Sequence, residues 1–413
     1  MDEFDSTANP LKGARILAIP SAIGLAHLTR LALIARELAQ VGAEVAFAFR
    51  DPKNDILKRL NFPVLPVADA VVADFTANVY EAYDPPLIEQ CIQDELAAIQ
   101  KFQPDLVLGD FRLTAAISTQ VAQVPYVSVV DGCMTNYFNP VSVMLDKTAY
   151  PTRFKWATSV TEFIQHVQKR SLARYFRQAA RRHGVKRFSS LYDFLEGDLT
   201  LISDLPDFNP LLKLPDHFHY IGPLIWEGLD SQPYSLPPID PNRALIYTTV
   251  GNTGQDKFID LVSQALGGDD AYQVILTTGA YLNLRLSPAK NIHVARFIPG
   301  SQILPQARAM IHCGGSGSTY QALMHGVPTI VIPFGPYQRI NGWLAQKNHV
   351  GIPLSPVQLA PEQLREALTQ LLNDDGIAAN AHRFQESWKK DNGPKVAALR
   401  IGGLLASKIK GNG

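Results

Sequence analysis

Between Met310 and Phe334 the chain reads MIHCGGSGSTYQALMHGVPTIVIPF. A short apolar run leads into Gly314, Gly315, Ser316, Gly317, Ser318 and Thr319, and a helical pattern follows. These residue types suit a particular chemistry. Glycines let backbone N–H groups approach an anion closely, and the first turn of a helix presents the positive end of its dipole. Ser316, Ser318 and Thr319 add hydroxyl donors, so the loop has the make-up of a phosphate cradle. A second loop, TTVGNTGQDKF (248–258), repeats the pattern with Gly251, Asn252 and Thr253. Two such loops on neighbouring strand ends suit a diphosphate. No P-loop lysine follows and the spacing is not G-x-G-x-x-G, which disfavours nucleoside triphosphates and dinucleotides. Either loop alone also fits an ordinary tight turn.

Loops of this kind need strand ends to stand on. In the first half RILAIPS (15–21), EVAFAF (44–49), PVLPV (63–67), DLVLGD (105–110) and YVSVV (126–130) read as fully buried strands. Amphipathic helical patterns separate them, such as HLTRLALIARELAQVG closed by Gly42. LTLISD (199–204) and HYIGPL (219–224) read as late strands of the same sheet. A proline-rich, aperiodic stretch at 227–243 reads as a linker, after which the alternation restarts with ALIYTTV, QVILTTG, NIHVARFI, AMIHCG and TIVIPF. Strand–helix alternation predicts parallel sheets covered on both faces. The expected class is therefore α/β, with two doubly wound Rossmann-like domains. Residues 1–226 form the first, 227–243 the linker and 244–376 the second, with C-terminal helices at 377–413 returning to brace the first. In open sheets of this kind ligands bind beyond the C-terminal strand ends.

The bulk properties bound the function. A chain of 413 residues is long for one core, and 46% apolar residues supply two. Lys+Arg and Asp+Glu both number 38, so there is no basic excess to bind nucleic acid. Cys91, Cys133 and Cys313 lie far apart and form no metal-ligand spacing. The acidic, polar start MDEFDSTANPLKGA is unlike a secretory leader, and no apolar run is long enough to span a bilayer. A cytoplasmic location is expected. Residues 153–187 carry ten Lys/Arg against one Glu, with Phe154, Trp156, Phe163, Tyr175 and Phe176 interleaved. They read as solvated surface helices, or as a basic face making peripheral contact with an acidic membrane.

The stretch FIPGSQILPQARAMIHCGGSGSTYQALMHGVPTIVIPFGPYQRIN (297–341) resembles the donor-binding signature of family 1 glycosyltransferases of the GT-B fold, in its bacterial natural-product form. Weaker similarity extends over nearly the whole chain. The resemblance implies a nucleotide-diphosphate sugar (UDP- or dTDP-linked) as co-substrate, a small acceptor as second substrate, and no cofactor or metal. It implies that Phe297 stacks on the base with the Ile298 backbone beside it. Gly314, Gly315, Gly317 and Ser318 hold the diphosphate, and Gln321 falls where plant members have a ribose-binding Glu. Gln338 and Asn341 match the family's Asp-Gln-x-x-Asn, with Gln338 on the donor sugar. Three positions depart from the pattern. Cys313 stands at the phosphate-binding His, Gln321 at the Glu, and Tyr337 at the sugar-binding Asp. Cys313 is expected as a swapped-in clamp at a helix mouth, a setting that can lower a thiol's pKa.

The same resemblance implies a base. SAIGLAHLTRLALIARELAQVGAEVAF looks like the first loop and helix of the family, where His27 would deprotonate the acceptor hydroxyl. Imidazole has the near-neutral proton affinity this needs. Asp110 falls on the carboxylate that orients it, and could equally cap the next helix. Residues 71–92 and 131–165 are expected to line an apolar acceptor pocket. The expected reaction is inverting sugar transfer. The alternatives are a catalytically impaired homologue acting as a nucleotide-binding or activating partner, and a nucleotide-sugar epimerase.

Overall fold

The computed structural model describes residues 9–70, 82–138, 173–185, 188–228, 236–251, 256–279, 289–388 and 392–411. The apolar runs form strands because they are buried on both sides. In β1 (Arg15–Pro20) every residue after Arg15 is buried, and β4 (Leu106–Asp110) and β5 (Tyr126–Val130) are buried throughout. With β2 (Glu44–Phe49), β3 (Val64–Pro66), β6 (Leu199–Ile202) and β7 (Phe218–Tyr220) they make a parallel sheet in the order β3-β2-β1-β4-β5-β6-β7. The second sheet runs β10-β9-β8-β11-β12-β13. Its strands are β8 (Ala244–Thr249), β9 (Tyr272–Thr277), β10 (Ile292–Ala295), β11 (Ala309–His312), β12 (Thr329–Val331) and β13 (Gly351–Pro353). The strand order reverses between β1 and β4 in one sheet and between β8 and β11 in the other. At such points the loops on adjacent strands diverge and leave a crevice.

The register places the two chemical regions on these crevices. Pro20 pairs with Asp110 across β1 and β4, and Ser21 N–H donates to the Asp110 carbonyl at 2.9 Å. Thr249 pairs with His312 across β8 and β11, so the loops at 250–251 and 313–315 leave neighbouring strands together. Helix Leu25–Gln40 covers β1 with Leu28, Leu31, Ala32, Ala35 and Leu38. The edge strand β13 has only three residues and carries little periodic signal; it is absent from the strands expected above.

The C-terminal stretch divides between the two halves. Helix Asp375–Trp388 lies at the seam between them, its Ala381 and Phe384 packed in one cluster with Tyr320 and Leu323 of helix Ser316–Met324 and with Leu205 and Phe208. Helix Gly393–Gly411 crosses to the first, burying Ala397, Ala398, Ile401 and Leu405 in the cluster of helix Leu25–Gln40. Helix Asp375–Trp388 reaches the first half as well, with its Phe384 ring edge-on to Phe208 at 5.5 Å between centroids. Gly393 lies so close to the chain leaving the first sheet that an added Cβ would meet the Pro223 carbonyl at 2.9 Å. The halves also share an apolar seam, where Leu205 and Phe208 pack with Tyr320, Trp343 and Leu344. Among the described residues no helix is long and apolar enough to cross a membrane.

Candidate active site

His27 opens the helix that follows β1, three residues beyond the N-cap Gly24. Its Nδ1 lies 2.8 Å from Oδ1 of Asp110, which is fully buried at the end of β4. A carboxylate can only accept, so Nδ1 carries a proton in this pair, and in the neutral ring Nε2 is the nitrogen with the free lone pair. The ring stacks on Phe111, centroids 5.1 Å apart and 12° from parallel. Phe111 has φ 51°, a left-handed conformation that costs a side-chain-bearing residue of order 1 kcal/mol or more. That strain turns the chain just after Asp110 and sets the aromatic face against the imidazole.

Arg30, one turn along the same helix, clamps the carboxylate. Its Nε donates to Asp110 Oδ2 and its Nη2 to Oδ1, each at 2.7 Å, while Nη1 reaches Asp131 Oδ1 at 2.5 Å. Burial disfavours the guanidinium's charge, but the two carboxylates outweigh that and raise its proton affinity well above the ordinary value. Three charged groups are therefore buried as a paired set, as burial of charge requires.

On the facing sheet the glycine loop is shaped by need. Gly314 has φ 84°, and a Cβ there would lie 2.7 Å from the Gln338 carbonyl and 2.9 Å from Val331. An added Cβ at Gly315 or Gly317 meets nothing within 4 Å, so these two border open space. Helix Ser316–Met324 starts at Gly315 with no side-chain cap and no acidic residue in its first turn. No side chain of its own cap or first turn neutralises its positive end. Asn341 donates to the Gly314 carbonyl at 2.8 Å and holds the loop in place. Gln338 accepts the N–H groups of Phe334 and Gly335 at 2.7 and 2.9 Å, fixing the start of helix Pro336–Lys347. Phe297 is 47% exposed, whereas Ile298 beside it is buried.

Two expected donor residues are placed differently. Cys313 is 4% exposed and packs in the apolar core of the second sheet with Ile311, Ile330 and Ile332. Burial pushes its thiol up to about 12, the reverse of the shift expected at a helix mouth, so it stays neutral. His312 is fully buried and accepts the Gly314 N–H on Nδ1 at 2.9 Å; burial lowers its pKa to about 3 and keeps it neutral as well. Tyr337 packs with Ile340 against the apolar cluster of the first sheet that contains Phe111, Cys133 and Met134. Its ring thus touches the first half from the position where the resemblance expects a sugar-binding carboxylate. Gly251 lies at the end of β8 with φ 63°. Asn252 and Thr253 lie outside the described residues, as do 71–81 and 139–165 of the expected acceptor lining. Most of the basic 153–187 stretch lies outside them too. Its described helix, 173–182, buries Phe176 against Tyr83 and Phe194, so that aromatic serves the core.

The sequence reading missed Arg30, Asp131, Asp204, Tyr320 and Glu227. Arg30 carried a signal, standing three residues from His27 and hence on the same helix face. Asp131 follows β5 as Asp110 ends β4, a second carboxylate at a strand exit. Asp204 lies across the halves from Tyr320, whose hydroxyl donates to Asp204 Oδ1 at 2.7 Å. Glu227 begins an aperiodic segment and carried no signal at all.

Residues 264–401 match the family model of the erythromycin biosynthesis protein CIII-like C-terminal domain. A PGL/p-HBAD biosynthesis glycosyltransferase of Mycobacterium tuberculosis is 28% identical over 393 residues, covering 91% of this chain and 89% of its own. The crystal structure of the glycotransferase of kitacinnamycin superposes with a TM-score of 0.74 at 18% identity, over 94% of this chain and 98% of that one. The glycosyltransferase VinC, solved in complex with dTDP, superposes at 0.69 and 18% identity, over 95% of this chain and all of its own (100%). Two parallel-sheet domains with facing crevices and this set of relatives define a glycosyltransferase of the GT-B fold. Within that class the chain's similarities are to family 1, macrolide-type members.

Proposed function

We propose that the chain transfers a sugar from a nucleoside diphosphate, UDP or dTDP, to a hydroxyl of a small apolar acceptor, with inversion and without a metal. The observation that carries this reading is the pairing of His27 with buried Asp110 at a strand exit. In the proposed step Nε2 of His27 takes the acceptor's hydroxyl proton as its oxygen bonds to the anomeric carbon. The bond from that carbon to the diphosphate oxygen breaks, and its electron pair leaves with the diphosphate. Attack opposite the leaving group inverts the centre. Asp110 stabilises the imidazolium that forms, and Arg30 fixes Asp110 in place.

The uncapped N–H groups of the helix at Ser316 and the hydroxyls of Ser316, Ser318 and Thr319 would take the diphosphate charge. The dTDP bound to VinC supports a nucleoside diphosphate as the leaving group. An apolar acceptor is supported by the cluster beside His27, in which Phe111, Ile23, Met134 and Tyr337 come together.

The test is calorimetric titration with UDP, dTDP and GDP, followed by a transfer assay with the sugar conjugate of the nucleotide that binds. Preference for one nucleotide is expected, and His27→Ala should keep that affinity while turnover falls at least about a hundredfold. Failure of the unmutated protein to bind any of them would end the donor reading. Binding without turnover on any acceptor would favour a nucleotide-binding partner protein instead.

A further inference from the structure

The segment leaving the first sheet reaches back to the helix that follows the glycine loop. Glu227 Oε1 accepts from Gln321 Nε2 at 2.8 Å. Its Oε2 accepts from the Ser301 N–H at 3.0 Å and from the Ser301 hydroxyl at 2.9 Å. The next residue, Gly228, has φ 90° and passes so close to Phe297 that an added Cβ would lie 3.1 Å from the ring edge. A carboxylate thus stands between a half-exposed aromatic ring and the side of helix Ser316–Met324. Gln321 is five residues past Ser316, about 7 Å along the helix axis from its first N–H groups. An anion at the helix start would therefore have a carboxylate held on the flank of the same helix, with an aromatic ring against the residue that follows it.

We propose that Glu227 is a carboxylate that accepts a ribose hydroxyl of the nucleotide, delivered by the segment between the two sheets. This rests on the nucleoside-diphosphate reading above. An ionised carboxylate offers about four lone-pair positions, and three are taken by the contacts just given. The protein thus orients the group and leaves acceptor capacity for a hydroxyl. Gln321 is the holder of that carboxylate: its amide nitrogen donates to Glu227, and a second carboxylate at 321 would repel it. The charge has moved from the helix to the linker, so a sequence scan of the helix finds only the neutral amide.

The test uses the full chain and three probes: UDP, dTDP and inorganic pyrophosphate. Glu227→Gln keeps the size and an acceptor for Ser301, and is expected to weaken UDP by about tenfold, the loss of a hydrogen bond to a charged group. Pyrophosphate affinity is expected to stay within about twofold, because that ligand has no ribose. dTDP lacks the 2′-hydroxyl and should lose less than UDP. The exchange Glu227→Gln/Gln321→Glu restores one carboxylate against one amide and should recover UDP binding. Unchanged UDP affinity in Glu227→Gln, equal loss of pyrophosphate, or an exchange variant no better than the single one overturns the proposal. Failure of the unmutated protein to bind either nucleotide overturns the donor reading instead, before any variant is made.

Discussion

Asp110 receives one N–H from His27 and two from Arg30 at a site with no exposed surface of its own. Arg30 matters because a buried carboxylate needs a paired cation, and its two N–H groups supply one. Cys313 shows the opposite use of burial. Its neighbours are aliphatic, its thiol is neutral, and the anchoring of the loop falls to its neighbour His312 through the Gly314 N–H. Restoring the family's histidine is therefore expected to harm the protein. Cys313→His should overpack the core and cost about 1–3 kcal/mol, read as a lower denaturant midpoint with unchanged slope. A midpoint equal to the parent's, with tighter UDP binding, would return Cys313 to the phosphate.

The glycine loop and helix Pro336–Lys347 behave as one element. Gly314 can sit at φ 84° under the Gln338 carbonyl only without a side chain, and Asn341 closes the contact from the other side. Asn341→Ala leaves the Gly314 carbonyl without its partner, a loss of about 1–3 kcal/mol where the group stays buried. Part of that falls on the loop's geometry, so UDP and pyrophosphate should weaken together by about tenfold. That pattern differs from the one expected at Glu227, where pyrophosphate is spared. Calorimetry on both variants checks the distinction, and selective loss of UDP in Asn341→Ala would contradict it.

The two halves are joined by the seam around Phe208, by helix Gly393–Gly411, and by Asp204. Asp204 accepts the Tyr320 hydroxyl, the Gly132 N–H and the Asn209 amide, each at 2.7 Å. Burial, helped by the charge of Asp131, raises its pKa from the ordinary 3.8 to about 7 against the pull of those donors. The unfolded chain releases this proton near pH 4, and the folded protein holds it to about pH 7. Between those values the folded state binds more protons, so this group's contribution is full at low pH and is lost as pH rises through that window. Urea midpoints of the parent should thus carry a downward component between about pH 4 and about pH 7 that Asp204→Asn removes. The same slope in both proteins would show that Asp204 is ionised throughout.

The apolar runs of β1, β4, β8 and β11 were legible because central strands of a parallel sheet are buried on both faces and need no alternation. The glycine loop was legible because a left-handed turn selects its residue type locally, as at Gly314. His27 and Asp110 were reached through resemblance, and their contact spans 83 positions. The rest required the packed molecule. Arg30 meets Asp131 across 101 positions, Tyr320 meets Asp204 across 116, and Glu227 meets Gln321 across 94. The chain's local pattern specifies which residues form strands and turns, since backbone sterics and the burial period act over a few residues. Which charges stand together is decided by the order β1-β4-β5 and by the meeting of two sheets, because a buried charge takes its partner from whatever the packing brings within reach.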